Sequence, residues 1–158
     1  MKKEITISNN KTLKLTNVVQ LKLDLEKIEE WNQQAEQLNN YILSKGVKPI
    51  GPIIQALKIE KTETGEPVPV MYFYRQADNF IHKMDEPYTI QSVIRVPNCM
   101  YSRYIGPEEK VKLAYDKLNV TAFEEDIELN GNSYTIYVGQ DEENDTITAD
   151  VFMERADS

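Results

Sequence analysis

The sequence predicts an α+β domain made of a duplicated β-α-β-β unit, with an antiparallel sheet carrying two helices on one face and a ligand groove on the other. Three observations carry this. Apolar residues alternate at period two over residues 12–23, as in a strand with one face on a core. Leu25, Ile28, Trp31, Ala35, Leu38 and Ile42 then recur at spacings of three and four, which marks one face of an amphipathic helix. The second half of the chain repeats the same order of elements, by element type rather than by residue identity.

In the first strand Leu13, Leu15, Val19, Leu21 and Leu23 share a face, with Asn17 as the exception. Asp24 is placed to cap a helix running to about Lys45, with Glu26 in its first turn. Gly46 suits the position just past that helix, and Pro49 stops it from continuing. Ile53 to Lys61 and Pro67 to Arg75 read as strands joined by a turn around Gly65. A polar connector follows. Tyr88 to Tyr104 is extended, with a bend at Pro97-Asn98, and Pro107 is expected at the first position of a second helix. That helix buries Val111, Ala114, Tyr115 and Leu118. Asn130-Gly131 predicts a hairpin turn pairing Asp126–Leu129 with Ser133–Val138, and Thr146 to Met153 is the last strand. The chain is thus expected to be one domain over 1–158, with one repeat over about 4–76, a connector over about 77–87 and a second repeat over about 88–156.

Composition narrows the function. The chain has 158 residues, a length typical of one domain, and a formal net charge of −8. That charge, with no basic stripe, counts against nucleic acid as a partner. No apolar run reaches the length of a membrane span, and Met1-Lys2-Lys3 leads into no apolar stretch of the kind a signal peptide has. Cys99 is the single cysteine, so no internal disulfide forms, and a cytoplasmic location is expected. A single histidine, His82, in the polar connector, leaves no His-rich metal site and no triad with a spare imidazole. The acidic segment Asp141–Asp145 lacks the glycine and distal glutamate of a calcium loop. No cofactor, metal or catalytic residue is expected.

The candidates for ligand contact are aromatic. Tyr72 and Tyr74 alternate with Phe73 on one strand, and Tyr101, Tyr134 and Tyr137 lie on others. Tyrosine offers apolar area with a polar tip, which suits a pocket wall as well as cross-strand packing. On the last strand Asp150 and Phe152 share a face with Thr148 and Glu154, while Ile147, Ala149, Val151 and Met153 should face the helices. Asp150 is either a groove carboxylate or a solvated one. Trp31 has core spacing at the start of its helix. Arg95 and Arg103 flank the bend and can bind an anion or pair with nearby acids. Cys99 has nothing near it in sequence, apart from Arg103, to lower its thiol pKa.

Ile105-Gly106-Pro107-Glu108-Glu109-Lys110, the following Ala114-Tyr115-Asp116-Lys117-Leu118 and the preceding Val96-Pro97-Asn98-Cys99-Met100-Tyr101 resemble the gyrase-inhibitor-like small-molecule-binding domains. These also serve as effector-binding domains of multidrug-responsive transcription regulators. Ser133–Tyr137, Ala149–Met153 and Gly46–Pro52 resemble further parts of that pattern. The resemblance implies a cleft between the repeats that binds lipophilic and often cationic small molecules, and the expected function is non-catalytic binding there of a small hydrophobic or amphipathic molecule. Asp150 matches the family's acidic position on the last strand, and Thr135 stands where many relatives have a second acid. The expected ligand contacts are Asp150, Tyr72, Tyr74, Tyr101, Tyr134, Tyr137, Phe152 and Trp31. With no helix-turn-helix segment left over, the chain is expected to be a stand-alone module, monomeric or homodimeric. The alternatives are a protein-interaction module, gyrase-inhibitor-like or accessory to a toxin system, and a small-molecule hydrolase.

Overall fold

A computed structural model describes residues 7–156. The described residues gather into two compact units, Lys14–Arg95 and a second one made of the residues up to Leu13 with those from Val96 onward. Both are antiparallel β-structure with one α-helix, so the α+β class holds.

The first unit holds the greater part of β1 (Ile7–Lys22), then α1 (Trp31–Ser44), β2 (Pro49–Lys61) and β3 (Pro67–Ala77). The strands are hydrogen-bonded in the order β1-β3-β2, with Leu21 opposite Phe73 and Ala56 opposite Tyr72. Leu38 and Ile42 of α1 are buried against Val19, Leu21, Phe73 and Ala77, so the helix covers one face of these strands. Gly46 takes φ 80°, the left-handed conformation that ends the helix.

Two expectations need correction here. The helix begins at Trp31, not after Asp24. The Asp24 carboxylate accepts the Glu26 N–H at 2.9 Å and closes a local turn instead of capping a helix, and a 3-10 turn over Ile28–Glu30 follows. Leu25 and Ile28 therefore stay exposed. The alternation in β1 is also interrupted. Asn17 has φ 48°, Val18 and Val19 are both buried, and Leu13 and Leu15 are buried outside the α1 cluster.

The second unit contains the later part of β4 (Tyr88–Gly106), α2 (Lys112–Glu124), β5 (Leu129–Asp141) and β6 (Thr146–Arg155), paired in the order β4-β6-β5. Ala114, Leu118 and Ala122 of α2 pack on Met100, Ala149 and Val151. The expected bend in β4 is present at Asn98, with φ 55°. Pro107 does not open the second helix as expected: at φ −59° and ψ 140° it precedes a 3-10 turn over Glu108–Lys110, and α2 begins only at Lys112.

Asn130-Gly131 is not a hairpin turn. β5 runs through it, and between the pairs Leu129–Arg155 and Ser133–Met153 four residues advance against two on β6. Gly131, at φ 94°, forms a bulge. The Asn130 carboxamide accepts the Asn132 N–H at 2.9 Å, and the side-chain amides of both residues donate to Glu154. Those bonds hold the bulge against β6, which the dipeptide alone could not reveal.

Gly106 makes a checkable contact. A Cβ built there would stand 2.6 Å from the Tyr104 hydroxyl and 2.9 Å from its ring carbon. That hydroxyl donates to the Pro107 carbonyl at 2.6 Å. Gly106→Ala must push the buried ring aside, and a loss of about 1–3 kcal/mol is expected in urea denaturation. Unchanged stability would show that the ring yields freely.

Among the described residues no helix is long and apolar enough to cross a membrane.

Candidate functional site

Because neighbouring strand residues point to opposite faces, the packing of each helix decides which side chains its unit leaves to the other face. In the first unit Phe73 goes to α1, which sends Tyr72 and Tyr74 the other way. Their rings lie 5.9 Å apart at 49°. Tyr74 is buried and Tyr72 half-buried. The Tyr72 hydroxyl donates to Glu60 Oε2 at 2.5 Å. Burial first, and then the Glu60 carboxylate, push the Tyr72 pKa well above its ordinary value. The phenol therefore stays a neutral donor.

In the second unit the face away from α2 is built in rungs. Tyr101 pairs with Phe152, and Phe152 with Tyr134, so three aromatic residues cross three strands. The Tyr101 and Phe152 rings are 4.9 Å apart. Tyr134 and Phe152 are 1% and 8% exposed, whereas Tyr101 is half-buried and gives the aromatic rung its accessible edge. The adjacent rung is Arg103, Asp150 and Ile136. Arg103 grips Asp150 with two parallel bonds, Nε to Oδ1 at 2.7 Å and Nη2 to Oδ2 at 3.0 Å. The Tyr101 hydroxyl donates to the same Oδ1 at 2.8 Å. The Lys11 ammonium lies 4.7 Å over the Tyr101 ring, within cation–π range.

Of the eight expected contacts, the structure brings Asp150, Tyr101, Tyr134 and Phe152 together in one unit and Tyr72 with Tyr74 in the other. Trp31, the first residue of α1, and Tyr137, on the α2-covered face, lie in the helix–strand packing. Trp31 meets Phe73 edge-on at 6.2 Å and donates its indole N–H to the Asp24 carbonyl. Tyr137 pairs with Ala149 and packs against the α2 cluster, where burial pushes its pKa up to about 12. Thr135 faces the same way, buried, sharing a hydrogen bond with the Tyr115 hydroxyl. An acid at that position would point into the helix packing.

Sequence reading did not single out Glu60 or Lys11. Glu60 was within reach: counted back from the turn at Gly65, it falls on the face of Ala56, and hence of Tyr72. Lys11 was missed because the strand was read from residue 12, whereas it begins at Ile7. Cys99 is fully buried, and burial pushes its thiol up to about 11, away from reactivity. Among the described residues no cluster of His, Cys, Asp or Glu is placed to hold a metal. A surface depression of about 660 Å³ in the first unit, bounded by Lys22, Leu25, Pro69 and Pro87, holds none of the eight expected residues.

No protein-family profile matches the chain, and no curated protein does. Solved structures do. The C-terminal domain of EcmrR matches over 96% of this chain and 97% of its own, with TM-score 0.71 and 11% identity. The fold is shared. EcmrR in its DNA complex matches with TM-score 0.62 at 12% identity, and there this chain spans only 57% of the EcmrR chain. A hydrolase from Listeria innocua matches over 94% of this chain and 92% of its own, with TM-score 0.56 at 9% identity. SAV2435, solved bound to tetraphenylphosphonium, matches over 98% and 94%, with TM-score 0.51 at 12% identity.

Proposed function

We propose that this chain is a small-molecule-binding module, built from two β-α-β-β repeats, that takes up a hydrophobic or amphipathic ligand without chemical change. The reading rests chiefly on one observation: the aromatic rung of Tyr101, Phe152 and Tyr134, next to the Asp150–Arg103 pair, on the face turned away from α2. Apolar walls with a few placed polar groups are what a ligand site needs. Tyr72 and Tyr74 with Glu60 offer the same chemistry in the first unit. SAV2435, which shares the fold, was solved with a lipophilic small molecule, tetraphenylphosphonium, bound to it. The buried free thiol of Cys99 fits a reducing cytoplasm.

Hydrolysis fits less well. A general base must be aimed at the water or group it serves, and both Asp150 oxygens are already engaged by three donors of this chain, two of them from a guanidinium.

A thermal-shift screen with tetraphenylphosphonium, neutral hydrophobes, porphyrins and small organic anions tests the reading. A ligand at a hundred times its Kd should stabilise by ~2.7 kcal/mol, or about 5–10 °C. No shift with any class, together with a stoichiometric protein partner from the native host, would favour the interaction-module reading instead.

A further inference from the structure

We propose that the ligand recognised at Tyr101 is an amphipathic anion, an aryl carboxylate or sulfonate, rather than a cation. The inference rests on the binding reading above and concerns the charge that this face accepts.

A cationic ligand has two ways to be held here, by a carboxylate or by the face of an aromatic ring. This chain fills both with its own cations. Asp150 has only 13% of its side chain exposed, and Arg103 already grips both of its oxygens. A ligand cation would have to break a bidentate guanidinium pair to reach it. The Tyr101 ring already lies under the Lys11 ammonium.

What the face still offers is positive. Asp150 uses Nε and Nη2 of Arg103 and leaves Nη1 unclaimed, and 48% of the Arg103 side chain is exposed. Lys11 is exposed and makes no ion pair among the described residues. Two cationic donors thus flank one half-buried aromatic ring. An apolar body can lie against the accessible edge of Tyr101 with its acid group toward the Lys11 ammonium or the Arg103 guanidinium. On a chain whose net charge is −8, such a place is unusual, since most of the surface repels anions.

Fluorescence titration with 1-anilinonaphthalene-8-sulfonate, with its uncharged parent N-phenyl-1-naphthylamine, and with tetraphenylphosphonium as competitor tests this. The sulfonate is expected to saturate one site about fivefold or more tighter than the uncharged probe. Lys11→Gln should cut that preference, the ratio of the two affinities, about threefold, and Arg103→Gln about tenfold. Arg103→Gln unpairs Asp150 and can weaken the fold, so Lys11→Gln, an exposed change, carries the test if that variant is unstable. Equal affinity for the two probes, a preference that survives in Lys11→Gln, or displacement by tetraphenylphosphonium at lower concentration than by the sulfonate would overturn anion selectivity and leave the binding reading standing. Saturable binding of none of the three would contradict both.

Discussion

Raised from pH 9 to pH 12, the protein is expected to unfold cooperatively, with its tyrosines ionising as it does so. Seven of its nine tyrosines have pKa values pushed above the ordinary 10.0, in each case mainly by burial. Cys99 is pushed from 9.0 to about 11 by the same cause. The unfolded chain releases these protons at the ordinary values while the folded chain retains them. Stability is therefore fully present below pH 9 and falls as pH rises, first through Cys99 and then through the phenols. Each such group steepens the fall by about 1.4 kcal/mol per pH unit. A domain with about 5–15 kcal/mol of stability cannot withstand several of them together for long. Absorbance of phenolate at 295 nm and loss of circular dichroism should coincide in one transition. Gradual ionisation centred at pH 10 with the fold intact would refute the burial of these rings.

Leu118→Ala is expected to have the next largest effect. Leu118 is fully buried among Met100, Ala149 and Val151, with the half-buried Tyr115 of the same helix packed against that cluster. Its helical neighbours on that face, Ala114 and Ala122, are too small to collapse into the space. A loss of about 2–5 kcal/mol should follow, and each kcal/mol lowers Tm by about 2–4 °C. Leu113→Ala on the same helix removes a side chain that is 52% exposed and should cost within about 0.5 kcal/mol. Equal losses from the two variants in urea denaturation would place the wrong face of α2 against the sheet.

These two results bear on what could be read in advance. Periodicity identified both helices and the face of β6 that packs on α2, because burial leaves a direct trace in the order of apolar residues. Local chemistry misled where a tertiary partner decided the outcome. Asp24 has the right side chain for a cap but uses it on Glu26, and the helix waits until Trp31. Asn130-Gly131 has the composition of a hairpin, yet Glu154 on β6 holds it as a bulge. At the candidate site the aromatic residues and Asp150 were legible as residue types. Tyr134 and Tyr137, three residues apart on one strand, point to opposite faces by alternation alone, whereas which residues they meet, Phe152 and Ala149, depended on register. Arg103 was legible as a partner for an acid, but the sequence did not say which acid.

The central claim, that a small amphipathic molecule binds at the aromatic faces turned away from the helices, is tested most directly by NMR of protein with carbon-13-labelled aromatic rings. Spectra would be followed while the best ligand of the thermal screen is titrated in. The ring signals of Tyr101 and Tyr72, the accessible members, are expected to shift most, with Tyr134 and Phe152 following. Trp31 and Tyr137, in the helix–strand packing, should stay where they are. Shifts confined to Trp31 and Tyr137, or a saturating ligand that moves none of the tyrosines turned away from the helices, would contradict the account.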